Sequence, residues 1–256
     1  MIKYLFTILL SVIFIKSYAC RCATTSLHDK FNHADFVATA KITEIQPDTL
    51  NKDFHKVTIE IINLYKGEKS EKLSILSMLN SSCAFYPDKN STWLIFANTF
   101  KDVLSFGFCS GSIQIDKNFD ETKYPGLTAN YRSGVDLKIS ALNWIKDNKI
   151  DIQNKYQIET IQSKLVDELK GYKGENKDFA IIEYSLEKDF TLKNVKLIKK
   201  FNNSRLSNLL KKVSANDFKA YHKTLKYLPQ PTKLFVIYYF YPEEGSSKSF
   251  ISIWDV

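Results

Sequence analysis

Glycine and proline are scarce, eight and six residues among 256, which excludes collagen-like, linker-like and low-complexity chains. Cysteine is scarcer still. Four in so long a chain cannot build a disulfide-dense miniprotein framework, so their positions matter more than their number. Beyond residue 19 no stretch approaches the ~20 apolar residues that cross a bilayer. Motifs that carry chemistry are missing as well. His28, His33, His55 and His222 are scattered, with no HExxH or comparable ligand pair, and there is no glycine-rich phosphate loop. Ser110 lies in Cys-Ser-Gly-Ser, outside the G-x-S-x-G setting of a nucleophile. The reading is therefore a protein that is not an enzyme and holds no cofactor. What the chain does have is apolar and aromatic: 44% hydrophobic, with 18 Phe and 14 Tyr, enough for a sizeable core in one or two domains.

Residues 1–19 carry the pattern of an export signal. Lys3 gives a positive start, Tyr4 to Ile15 is apolar, and Ser17 and Ala19 are the small residues that signal peptidase requires. Lys16 interrupts the run too early for a permanent anchor. Cleavage would leave Cys20 first and, by removing Lys3 and Lys16, take the formal charge from +8 to +6. A lipid anchor on Cys20 is the alternative. Lipoprotein signals place an aliphatic residue three positions before the cysteine, where this chain has Ser17, and that favours a free amino terminus. The expected location is secreted or periplasmic.

Five strands follow one another without intervening helices: Phe36–Ile45, His55–Tyr65, Glu71–Leu79, Thr92–Phe100 and Val103–Ile115. Such a run implies an antiparallel sandwich or barrel, and five is the number with which an OB-type barrel closes. A short helix capped by Ser26 is expected to His33, with Asp35 at the junction to the first strand. Gly107 and Gly111 read as relieving a bulge in the fifth strand. A helix over Asp136–Lys146 closes this first domain, residues 20–149.

Residues 150–256 read as an α+β domain of unknown role. Its expected elements are a helix (Ile158–Leu169), two strands (Phe179–Leu186, Leu192–Lys200), a helix (Ser204–Lys226, broken near Ala215) and two strands (Lys233–Tyr241, Ser249–Trp254). Charge also divides the chain. Residues 20–149 hold 16 basic and 15 acidic groups, whereas Lys193 to Lys226 holds ten basic residues and one acid, Asp217. That segment is either a solvated face or a surface for an anionic partner. No nucleic-acid fold signature accompanies it, so nucleic acid is not expected.

The four cysteines carry the sharpest signal. In an exported protein an even set is presumptively paired. Cys20 and Cys22 are too close to bond each other without a very tight ring, so each reaches one of Cys83 and Cys109. Each long bridge contributes ~4 kcal/mol in the loop-closure view. A mature chain opening Cys20-x-Cys22, the stretch His33-Ala34-Asp35-Phe36-Val37-Ala38-Thr39-Ala40-Lys41, a second strand ending Leu64-Tyr65-Lys66-Gly67, and cysteines 63 and 89 residues after Cys20 stand in one order. Together, over about residues 20–147, they resemble the inhibitory domain of the tissue inhibitors of metalloproteinases.

The resemblance implies a netrin-like OB barrel with bridges Cys20–Cys83 and Cys22–Cys109. It implies inhibition of a secreted or surface zinc metalloprotease by the amine and carbonyl of Cys20, which chelate the protease's catalytic zinc. Arg21 would enter the protease's primary specificity pocket. Cys22 and Ala23 would lie along the cleft beside Ser81 and Ser82. The chain departs from the family at Arg21, where a small hydroxyl residue is usual, and at Ala23-Thr24-Thr25, which replace a proline-rich continuation. It also lacks the family's third bridge in this domain and its cysteine-rich C-terminal domain. A binding or adhesion module without inhibitory activity is the other reading of the same fold.

Overall fold

The computed structural model describes residues 20–254 except Thr24, Lys101, 163–167 and Glu175. The expected leader, residues 1–19, lies outside the described residues. The chain begins with an extended strap that runs into helix α1 (Leu27–His33). A capping box fixes the helix start: the Asp29 N–H donates to Ser26 Oγ at 3.1 Å while the Ser26 N–H donates to Asp29 Oδ2 at 3.2 Å. The last four carbonyls of so short a helix also need partners. His33 Nδ1 takes the Asp29 carbonyl, the Ala34 N–H takes that of Lys30, and Lys66 Nζ donates to both Phe31 O (2.8 Å) and Asn32 O (3.0 Å).

Strands β1 (Phe36–Pro47), β2 (Phe54–Lys66), β3 (Lys72–Leu76), β4 (Thr92–Phe100) and β5 (Val103–Gly107) then close on themselves in the order β1-β2-β3-β5-β4-β1. Every neighbouring pair is antiparallel except β3 with β5, which is parallel over Ser74–Leu76. The result is a closed, mixed five-stranded barrel, an arrangement consistent with the OB type. Its interior is the set that alternation selects: Phe36, Ala38, Ala40 and Ile42 from β1, Val57 and Ile59 from β2, Leu73 and Ile75 from β3, Trp93 and Ile95 from β4, and Phe106 from β5. Small alanines of β1 share this interior with the rings of Phe36, Trp93 and Phe106, the mixture of sizes a narrow barrel needs.

The last expected strand of this half divides in two. β5 stops at Gly107, the chain turns, and a two-residue β6 (Ile113–Gln114) pairs with β4 instead. Gly107 is there for close approach, since a Cβ would sit 2.8 Å from the Leu76 carbonyl oxygen. Gly111 has φ +79 and makes the turn, so it serves reversal of the chain rather than a strand bulge. The third expected strand also ends early, because the Ser77 and Met78 N–H groups both turn to the Asp53 carbonyl (2.8 and 3.2 Å).

Helix α2 (Leu127–Asp147) begins nine residues before the expected Asp136. The Glu121 carboxylate accepts the N–H of Gly126 (2.6 Å) and of Thr128 (3.0 Å), which satisfies part of the exposed first turn. After it come β7 (Glu159–Ile161), β8 (Asp178–Leu186), β9 (Leu192–Lys199), α3 (Ser204–Asp217), β10 (Lys219–Tyr221), β11 (Thr232–Tyr241) and β12 (Phe250–Ser252). Two helices expected here are corrected. Residues 159–161 are a strand paired with β10, not the start of a helix, and 163–167 lie outside the described residues. The basic helix ends at Asp217 instead of Lys226, because its last residues supply β10.

The four-stranded antiparallel sheet β12-β11-β8-β9 is covered on both faces. Ala180, Ile182, Tyr184, Val236 and Tyr238 pack with Leu206, Leu210 and Val213 of α3. The alternate residues Phe179, Ile181, Ile237 and Tyr239 join Leu137, Ala141, Leu142 and Ile145 of α2, Leu27 and Phe31 of α1, and Val37, Leu94 and Phe96 from the outer face of the barrel. The layers are thus barrel, α2, sheet and α3, and the second core is shared between the two halves of the chain.

Candidate functional site

Two disulfides tie the strap to one rim of the barrel, Cys20 to Cys83 and Cys22 to Cys109. This is the pairing the resemblance implies. Cys83 lies in the β3–β4 connection as expected, whereas Cys109 lies in the turn after β5 rather than within a strand. The bridges span 63 and 87 residues, so they anchor the strap at two points of a rim it would not otherwise reach. Paired cysteines belong to an oxidising, non-cytosolic compartment. Among the described residues no helix is long and apolar enough to cross a membrane.

The connection that receives Cys83 is built as a stiff turn. Ser81 Oγ donates to the Met78 carbonyl at 2.9 Å and accepts from the Cys83 N–H at 3.1 Å. Below it, Ser77 Oγ donates to the Asp53 carbonyl (2.9 Å) and His55 Nδ1 donates to Ser77 Oγ (2.7 Å), which joins the β1–β2 turn to the same connection. Phe85 then plugs the barrel edge-on against Trp93 and Phe106. Ser77 and Phe85 have no chemical signature in the sequence and escape notice there, and His55, noted only as one of four scattered histidines, gives no sign of this role.

On this support the expected site residues come together. The Cys20 backbone N–H donates to Ser82 Oγ at 3.1 Å, a contact across 62 residues. Arg21 and Ala23 are exposed on either side of Cys22, which is half-buried, and Ser81 and Ser82 are exposed beside them. Cys20 is thus tethered at the rim by its bridge to Cys83 and by its backbone N–H on Ser82 Oγ. Among the described residues no cluster of three or more His, Cys, Asp or Glu side chains could hold a metal ion.

The remaining candidates separate from this rim. His28 is half-buried, with Nε2 donating to the Ile152 carbonyl at 2.8 Å, and desolvation pushes its pKa below the ordinary 6.5. Asp35 sits at the junction as expected. Its carboxylate accepts the Thr99 N–H at 2.7 Å, which holds its pKa below the usual range. In the basic segment Lys199 is withdrawn from solvent. It donates to the Phe179 carbonyl (2.6 Å), pairs with Asp178 (3.2 Å) and stands 3.9 Å from the centre of the Phe179 ring. Arg205, Lys211 and Lys212 remain on the exposed stripe of α3.

No protein-family model matches the chain, and a search of curated proteins finds no match.

Proposed function

We propose that the chain is an exported inhibitor of a zinc metalloendopeptidase and that it acts through the free amine and carbonyl of Cys20. The barrel is read here as the netrin-like form of the OB fold, supported by the strand order and the parallel β3–β5 closure. The observation that carries the reading is the double anchoring of Cys20, by its bridge to Cys83 and by its nitrogen on Ser82 Oγ, at an exposed rim. A catalytic zinc keeps one coordination position open for water. After removal of the leader, the Cys20 nitrogen is an α-amine with a pKa of ~7.7–8, so the neutral form that binds metal is cheap to reach near neutral pH. Anchoring lowers the ordering cost of docking. Arg21 projects next to the chelate and selects a protease whose primary pocket is wet or acidic.

The test is an inhibitor with one alanine added before Cys20. The extension leaves both bridges in place but turns the amine into an amide that cannot coordinate. Inhibition of a metalloprotease panel should disappear while the thermal midpoint stays the same. Equal inhibition with and without the added alanine would sink the chelation mechanism, and so would a lipid on Cys20, detected by intact mass.

A second reading, a binding module for an anionic surface, is favoured by the cationic stripe of Arg205, Lys211 and Lys212 on α3. Under it, binding to anionic vesicles falls steeply with salt and is lost when these three are neutralised, whereas salt-independent binding contradicts it.

A further inference from the structure

The rim that carries Cys20 also encloses a hollow of 570 Å³, walled by Phe54, Leu76, Met78, Phe100 and Phe108 and by Cys20 itself. The Phe54 and Phe100 rings stack with centroids 6.4 Å apart and planes 12° from parallel. Phe100 is 55% exposed and Phe108 48%, while Phe106 beneath them is buried. Large aromatic side chains left this open at one place on the surface mark a contact site. Around the opening stand uncharged or acidic groups, Asn51, Asp53, Asn98, Ser105 and Ser110, and among the described residues no lysine or arginine lines it. An apolar centre inside a polar rim is the anatomy of a protein contact.

The occupant follows from continuity. Cys20 is part of the wall, so a molecule that seats its zinc on the Cys20 nitrogen and carbonyl stands beside the hollow. We infer that the hollow receives an apolar side chain of the same metalloprotease whose zinc Cys20 chelates. The partner is then a metalloprotease with an apolar residue projecting beside its catalytic cleft. This rests on the inhibitory reading and adds a second anchor to it. The chelate alone would fix one atom pair, whereas a filled hollow also fixes the angle at which the two proteins meet.

The experiment uses the full exported chain with its free Cys20 amine and a metalloprotease that it inhibits. Phe100→Ser, Phe108→Ser and the double variant are compared with the parent, each checked for an unchanged thermal midpoint. The rings are exposed, so folding should survive. Loss of a central aromatic anchor predicts an inhibition constant raised about tenfold or more in the double variant. The residual inhibition should still vanish when an alanine precedes Cys20. If the folded double variant inhibits within about twofold of the parent, the hollow is not an anchor and the inference fails while the chelation reading stands. If the parent is a dimer that the double variant dissociates, a second copy fills the hollow and the inference is overturned. If no metalloprotease is inhibited, or the added alanine has no effect, the inhibitory reading has failed and takes this one with it.

Discussion

His28 shows how one half-buried side chain makes stability depend on pH. The ring joins α1 to the segment after α2 through the Ile152 carbonyl, and burial disfavours its charged form. The unfolded chain therefore binds a proton more readily than the folded one below the ordinary pKa of 6.5. Linkage fixes the sign: stability contributed by neutral His28 is fully present above 6.5 and declines as pH falls from there through the folded pKa. The urea midpoint should drop between pH 7.5 and 5.5 in the parent and change less in His28→Gln, whose amide can still donate to Ile152 O. An equal drop in both proteins would exclude His28 as the source. Asp35 acts in a separate window. Its carboxyl is held low by the Thr99 N–H, so its contribution is present above the ordinary 3.8 and is lost only as pH falls through the folded value. Lys66 makes a different residue-scale point. The Leu64-Tyr65-Lys66-Gly67 stretch that contributes to the resemblance supplies the cation that closes α1, with Nζ also 5.4 Å from the centre of the Phe31 ring.

At the level of elements, β2 was legible because His55, Val57 and Ile59 are buried with less buried residues between them, and β1 because Phe36–Ala40 is a short apolar run buried on both faces, as a strand between barrel interior and covering helices must be. The capped helix after the strap was legible from Ser26 and Asp29, whose side-chain bonds are local. What was hidden depended on distant partners. Residues 158–169 have helical spacing, but Glu159–Ile161 find the edge of Lys219–Tyr221, and the same pairing shortens α3 at its far end. Nothing within either segment announces the other. The early start of α2 was hidden because the whole of Tyr124–Gly134 reads as a loop; only Tyr124, Pro125 and Gly126 lie outside the helix, and they deliver it to the Glu121 carboxylate. The rim divides in the same way. Cys20, Arg21, Cys22, Ala23, Ser81 and Ser82 could be named from cysteine spacing and resemblance, while Phe100 and Phe108 looked like ordinary strand residues. Only the closure of β5 beside β3, and the turn that follows Gly107, leave those two rings at the surface.

Across the whole molecule the cysteine-free half is more than an appendage. Its sheet covers α2, and through α1 and β4 it completes a core that also holds the outer face of the barrel. A chain ended at residue 157 keeps both bridges and every rim residue, but it uncovers Leu137, Ala141, Leu142 and Ile145. With each large apolar side chain worth about 1.5–3 kcal/mol when fully buried, the lost cover is comparable to the whole net stability of about 5–15 kcal/mol typical of a domain. Such a fragment should melt well below the full chain and bind a hydrophobic dye. The rim itself is assembled between residues 20 and 110 and takes nothing from beyond residue 149. Under the proposed inhibitory function, the fragment's affinity for a metalloprotease should therefore match that of the full chain at a temperature where the fragment is folded. A fragment that melts with the parent would show the shared core to be dispensable. A folded fragment that binds much more weakly would mean that the second half touches the protease directly.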